Sequence, residues 1–199
     1  MRRAVFVDRD GVICRNRDDH VKDWEEFAFL PGALKAMVQL ARLDLPVVVI
    51  TNQAVINRGI VPVEVVEDVH ARMVQSIEAV GGRVDRVIYC PHRPDEHCTC
   101  RKPQPGMLLK AANDLDLDLS QSYLVGDAET DMQAGRVVGC HRYLVLTGRG
   151  LRQWPRCWLH GESGFTVVPN LSVAVNAILR QEKIEQHIPG AVLGGGDGR

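Results

Sequence analysis

The sequence predicts an α/β fold, a doubly wound parallel sheet with helices on both faces. Three observations point to it. Short apolar, β-branched runs recur along the chain, longer segments of helical periodicity separate them, and acids or other polar groups follow directly on several of the runs. With 199 residues, 45% of them hydrophobic and 25% charged, the chain suits one globular domain, expected over residues 1–183 with a flexible tail at 184–199.

The elements follow in order. Ala4-Val5-Phe6-Val7, Val47-Val48-Val49-Ile50, Arg86-Val87-Ile88-Tyr89, Tyr123-Leu124-Val125, Tyr143-Leu144-Val145-Leu146 and the weaker Phe165-Thr166-Val167-Val168 each read as a strand buried on both faces. Between them, Gly32 to Leu43 places Leu34, Met37, Val38 and Leu40 on one helical face, and Pro62 to Val80 does the same with Val66, Val69, Met73 and Ile77. Met107 to Leu115, Glu129 to Val138 and Ser172 to Lys183 continue the helical pattern. Residues 11–31 and 90–106 are connections longer than ordinary turns, so they are expected to carry function, the first as a small flap over 12–31. Neither early strand is followed by an insertion large enough for a separate cap domain.

Lys and Arg number 24 against 25 Asp and Glu, a formal net charge of -1 that gives no general attraction to nucleic acid or to an anionic membrane. No apolar run is long enough to span a bilayer, and the residues before Asp8 are too few for an export signal. A cytoplasmic monomer acting on a small ligand is expected.

Chemistry-bearing residues collect at the carboxyl ends of the strands, where parallel sheets bind ligands. The first strand ends in Asp8-Arg9-Asp10-Gly11, the second in Thr51-Asn52-Gln53 and the fourth in Gly126-Asp127, with Asp131 four residues on. Taken singly, each reads equally as a polar turn or a helix cap. Taken together, they bring Asp8, Asp10, Thr51 and Asp127 to one edge of one sheet, a coincidence that separate caps do not explain. Converging carboxylates repel unless a cation offsets them, and an all-oxygen set suits a hard ion such as Mg²⁺. Lys102, close to the helix opening at Met107, can bring positive charge to a bound anion.

Three of the six cysteines, Cys90, Cys98 and Cys100, lie within eleven residues of one another together with His92. A C-x-H pair and a C-x-C pair separated by five residues supply a tetrahedral set for Zn²⁺. His97 is the other imidazole within reach, but it adjoins Cys98 directly and makes an awkward bite. Four protein ligands leave no open position, so the zinc would fold the loop and position Arg101 and Lys102 rather than hydrolyse anything itself. Cys14, Cys140 and Cys157 read as ordinary thiols.

Asp8-Arg9-Asp10-Gly11-Val12, Ile50-Thr51-Asn52-Gln53, Cys100-Arg101-Lys102-Pro103 and Val125-Gly126-Asp127-Ala128-Glu129-Thr130-Asp131 resemble, in order, the four motifs of the haloacid dehalogenase superfamily of phosphatases. The loop of Cys90, His92, Cys98 and Cys100 is similar to that of the branch acting on heptose bisphosphate and histidinol phosphate, and the resemblance covers about residues 4–180. It implies that Asp8 attacks phosphorus to form an aspartyl-phosphate, while Asp10 protonates the leaving alcohol and then activates water. It further implies Mg²⁺ held by Asp8, the Asp10 backbone carbonyl and Asp127, a phosphoryl group stabilised by Thr51 and Lys102, and substrate contacts from Asn52, Gln53 and Arg101. Residues 19–27, Asn57-Arg58-Gly59 and residues 102–109 resemble the heptose bisphosphate enzymes, which favours a sugar bisphosphate. The short step from His92 to Cys98 is closer to the histidinol-phosphatase version, and Ala128 stands where the heptose enzymes often carry lysine. A zinc-stabilised binding module without catalysis is the reading from another class. It predicts damage to one of the four motifs, and all four are intact.

Overall fold

The computed structural model describes residues 2–186. Strands β1 (Val5–Val7), β2 (Val47–Asn52), β3 (Arg86–Cys90), β4 (Tyr123–Gly126), β5 (His141–Val145) and β6 (Phe165–Val168) form one sheet in the order β3-β2-β1-β4-β5-β6. Every pairing is parallel, and β1 is central, with Val5 opposite Val47 on one side and Tyr123 on the other. The connecting helices are α1 (Ala33–Leu40), α2 (Val63–Ala79), α3 (Gly106–Leu115), α4 (Glu129–Val137), α5 (Gly150–Leu159) and α6 (Leu171–Gln186).

The two-residue period of a strand sends alternate side chains to opposite faces, and the core divides accordingly. Val5, Val7, Val47 and Val49 join Met37 and Leu40 of α1, Met73 of α2 and Val175 of α6 on one face. Ala4, Phe6, Val48 and Ile50 meet Met107, Leu108 and Ala111 of α3 on the other. Apolar residues on both faces leave no room for solvent along β1, β2 and β4, which makes the central carboxyl edge a rigid platform.

Several expectations need correction. β3 and β6 are the edges of the sheet and only partly buried, because each has a neighbour on one side alone. Helix α5 is an element beyond those expected: it continues through Pro155, its Leu151, Trp154 and Trp158 fall on one helical face that stays largely exposed, and only Gly150 and Cys157 are buried. α6 continues to Gln186, so residues 184–186 expected in the tail are helical; the rest of that expected tail lies outside the described residues. Residues 12–31 are less of a flap than expected. Ile13, Cys14, Val21 and Phe27 belong to the core, with Phe27 stacked on Trp24 and edge-on to Phe29, which leaves residues 16–20 beside the cleft. The chain carries no cap domain. No helix among the described residues is long and apolar enough to cross a membrane.

Candidate active site

The order β2-β1-β4 sets the carboxyl ends of these three strands side by side. Asp8 follows β1 directly, with its backbone N–H donated to the Val125 carbonyl at 2.9 Å. Its carboxylate Oδ1 accepts from Lys102 Nζ at 2.9 Å, and Lys102 also reaches the Ile50 carbonyl at 3.0 Å and Asp131 Oδ1 at 2.6 Å. Asp8, Asp127 and Asp131 offer carboxylate oxygens that all lie within 4.8 Å of one another.

Such crowding has electrostatic consequences. Burial lifts the Asp8 carboxyl to about 7, opposed by Lys102 and reinforced by Asp131, Asp127 and Asp10. Burial likewise lifts Asp127 to about 6 against the pull of Arg149. Burial disfavours the Lys102 charge, but Asp131 and Asp8 outweigh it and raise the group above the ordinary lysine range. Two oxygens of this cluster, Asp127 Oδ1 and Asp131 Oδ1, are buried without a hydrogen-bond partner and meet only the charges of Arg149 Nη2 at 3.5 Å and Lys102 Nζ at 2.6 Å. Space around the acids is reserved by glycine: a Cβ on Gly11 would fall 2.0 Å from Asp127 Oδ2, and one on Gly148 2.3 Å from it. Both glycines have positive φ, at 88° and 58°.

Asp10 is held from the opposite side. Arg9 Nη2 donates to Oδ1 and Oδ2 at 2.9 Å each, Gln53 Nε2 donates to Oδ2 at 2.9 Å and Thr51 Oγ1 to the same oxygen at 3.4 Å. Burial favours its neutral form, yet the charge and hydrogen bonds of Arg9, with those of Gln53 and Cys14, hold the carboxyl below its ordinary value. Gln53 is buried, its amide is occupied by Asp10, Thr51 and Arg9, and it is among the residues lining the cleft. Asn52 clamps the Lys102 peptide, accepting from its N–H and donating to its carbonyl, both at 3.1 Å.

In the long loop after β3, His92 Nδ1 lies 3.4 Å from Cys90 Sγ and 3.2 Å from Cys100 Sγ, and Cys98 Sγ lies 3.6 Å from Cys90 Sγ and 3.5 Å from Cys100 Sγ. The four ligand atoms lie within 4.8 Å of one another, and His97 is outside the group. This cluster is tied to the acids through the Arg101-Lys102 step: the Arg101 N–H points to Cys98 Sγ at 3.4 Å and its Nη1 donates to the His92 carbonyl at 3.1 Å, while Lys102 meets Asp8 and Asp131. An open cleft of about 410 Å³ above the sheet edge is lined by Asp10, Arg17, His20, Arg58, Arg101 and Arg149 among others. An adjoining recess is lined by Asp8, Asp10, Thr51, Lys102, Asp131 and Arg149.

Three contributors were not predicted as site residues. Asp131 reads as a helix cap, and its Oδ2 does accept from the Ala128 N–H at 3.0 Å, but Oδ1 holds Lys102. Arg149 gives its backbone N–H to Asp127 Oδ2 at 2.7 Å and carried no motif to reveal it. Arg9 is among the largest fully buried side chains, although its place in a polar run suggests a turn.

Known proteins resemble this chain in sequence and fold. The family model described as HAD-hydrolase-like matches residues 99–173. A D-glycero-β-D-manno-heptose-1,7-bisphosphate 7-phosphatase of Pseudomonas aeruginosa is 41% identical over 151 residues, covering 76% of this chain and 85% of that protein. Its counterpart from Bordetella bronchiseptica is 36% identical over 179 residues, covering 90% of this chain and 99% of the relative. A crystal structure of the B. bronchiseptica phosphatase, complexed with magnesium and phosphate, superposes with a TM-score of 0.85 at 36% identity over 90% of this chain and 99% of that one. The phosphatase from Burkholderia thailandensis gives 0.69 at 30% identity, covering 89% and 99%. Motifs, sheet order and these likenesses agree, and the chain belongs to the D-glycero-D-manno-heptose 1,7-bisphosphate 7-phosphatase family of haloacid dehalogenase-like hydrolases.

Proposed function

We propose that this chain is a magnesium-dependent phosphatase that removes the 7-phosphate of D-glycero-β-D-manno-heptose 1,7-bisphosphate by way of an aspartyl-phosphate on Asp8. The observation that carries the reading is the juxtaposition of Asp8, Lys102 and an acidic cluster in one recess, in a chain 41% identical over 151 residues to a relative of that activity. The residues fit Mg²⁺: a buried carboxylate oxygen of Asp127 lacks a hydrogen-bond partner, and the clustered carboxylates of Asp8, Asp127 and Asp131 offer oxygen ligands only. Asp8, Asp127 and the Asp10 carbonyl would hold the ion, which when bound neutralises charge on the phosphate.

Ionised Asp8 attacks phosphorus as the bond to the sugar oxygen breaks, and Asp10 delivers a proton to that oxygen. Asp10 starts ionised, but a bound phosphate dianion disfavours its charge and raises its proton affinity, which suits it to act first as acid. In the second half, Asp10 takes a proton from water as the water oxygen attacks phosphorus, which releases phosphate and restores Asp8. Thr51 and Lys102 donate to the equatorial oxygens, where charge gathers in the transfer. Asn52 and Gln53 set the positions of Lys102 and Asp10, while Arg101 faces the substrate.

Arg58, Arg101 and Arg149 on the cleft wall favour a second phosphate over the cationic amine of histidinol phosphate. Cys90, His92, Cys98 and Cys100 hold Zn²⁺ in this reading. Their sulfur atoms, 3.2 to 3.6 Å apart, are too far for a disulfide and suit ligands of a common ion. With four protein ligands an ion there would have no open position, and the loop it closes would hold Arg101 and Lys102 in place. The deciding experiment compares steady-state turnover of heptose 1,7-bisphosphate, histidinol phosphate and a 3′-phosphorylated oligonucleotide. The sugar bisphosphate is expected to show the highest kcat/KM, and an equal or higher value for histidinol phosphate would overturn the assignment.

A further inference from the structure

We infer that His70 is a positioning residue for phosphoryl transfer, acting through Arg9 to fix the carboxylate of Asp10; this rests on reading Asp10 as the proton shuttle. His70 lies within α2, is 5% exposed, and belongs to none of the four motifs. Its Nε2 stands 2.9 Å from Arg9 Nη1. A guanidinium has donors only, so Nε2 accepts and the ring is neutral with its proton on Nδ1. Burial, and then the Arg9 charge, hold the imidazole far below its usual proton affinity, to about 3, in keeping with that geometry.

Arg9 is fully buried and meets acceptors on two sides. Nε and Nη2 reach Asp10 Oδ1 at 3.2 and 2.9 Å, and Nη2 also reaches Asp10 Oδ2 at 2.9 Å and Gln53 Oε1 at 3.1 Å. His70 engages Nη1, and so anchors the guanidinium to the helix layer rather than to the site itself. The neutrality of the acceptor matters. A carboxylate in place of His70 would compete with Asp10 for the Arg9 charge, whereas an imidazole orients the guanidinium and leaves that charge to Asp10. The ring is itself confined, 5.4 Å from Tyr89 at 47°, and Tyr89 Oη donates to Glu67 at 2.9 Å. The result is a line of contacts from the surface of α2 to a carboxylate that must alternate between acid and base without changing place.

A side chain that only fills space predicts something different from one that orients Asp10. The two separate in the first half-reaction, measured as leaving-group release in a single turnover. A sugar alkoxide needs a proton to depart, and 4-nitrophenolate does not. His70→Phe keeps the bulk and loses the acceptor; it is expected to slow release from heptose bisphosphate about 10- to 100-fold and from 4-nitrophenyl phosphate less than about threefold. His70→Gln, whose terminal oxygen sits near the place of Nε2, is expected to restore the sugar rate to within about threefold. Equal losses on both substrates, or a Gln variant as impaired as the Phe variant, would overturn the role. Should His70→Phe fail to fold, His70→Asn replaces it, since its shorter acceptor falls short of Arg9. Asp10→Asn, run alongside, keeps the two ideas apart. Equal losses there would mean that the shuttle reading has failed, while a leaving-group-dependent loss in Asp10→Asn that His70→Phe lacks rejects His70 alone.

Discussion

Lys102 Nζ and Asp131 Oδ1 stand 2.6 Å apart, with side chains only 4% and 1% exposed. Removing one partner of a buried pair leaves an uncompensated charge and costs roughly 3–5 kcal/mol. Lys102 keeps Asp8 and the Ile50 carbonyl, so Asp131→Asn is expected near the lower end, about 3 kcal/mol by urea unfolding. Turnover should fall at least about tenfold, with KM changed less, because the ammonium is no longer held where charge develops. Unaltered kcat in a folded variant would count against the placement of Lys102.

Magnesium should stabilise the protein more as pH rises. Asp8 at about 7 and Asp127 at about 6 retain protons that unfolded carboxyls, near 4, have already lost. Between these values the native state binds more protons than the unfolded chain, so their contribution to metal-free stability declines as pH rises. His70, held to about 3, acts in the opposite sense below the ordinary histidine value of about 6.5. Thermal melts with and without Mg²⁺ at the same pH cancel the His70 effect. The metal-induced gain should be small near pH 5 and reach about 2.7 kcal/mol near pH 8 at a hundredfold excess over Kd. A gain that does not vary with pH would exclude Asp8 and Asp127 as proton-competing ligands.

Gly11→Ala tests the reserved space. The new methyl would meet Asp127 Oδ2 at 2.0 Å and Gly148 Cα at 3.0 Å, on a backbone with φ of 88°. Gly59→Ala is the control: its φ is 66°, but nothing lies within 4 Å of the added carbon. Both should pay the left-handed strain of about 1–2 kcal/mol. Only the Gly11 variant should also lose turnover and the magnesium-dependent shift in Tm.

Cys98→Ser should release the metal of the thiolate loop, seen as a drop from about one zinc per chain in elemental analysis. Arg101 depends on this loop for two contacts, so KM for the bisphosphate should rise and cleavage by a protease within residues 90–106 should quicken. A variant with normal KM would uncouple the loop from the substrate.

Much of this was legible in the amino-acid order because strands and their carboxyl ends are local features. Val5 to Val7 and Val47 to Ile50 are apolar on both faces, and the acids that follow them fall where parallel sheets bind ligands. Other features depend on partners that no local pattern can show. Asp131 meets Lys102 from another element, and its cap position conceals the second contact. Arg9 seemed suited to a solvated turn, yet it is enclosed by Asp10, Gln53 and a histidine from α2. Helix α5 was hidden by Pro155 and by a largely exposed surface that includes Leu151 and Trp158.

The central position of β1 also bears on synthesis. Its two neighbours are β2 and β4, which lie far apart in the sequence; Asp8, Thr51 and the cysteine loop precede Asp127 and Asp131 and so emerge from the ribosome well before them. A nascent chain that has emerged through Cys100, past the loop after β3, would already display the Cys90, His92, Cys98 and Cys100 side chains but would lack two of the three clustered acids. A metal held by the loop could therefore be captured during translation, whereas the cluster of Asp8, Asp127 and Asp131 is completed only when β4 docks.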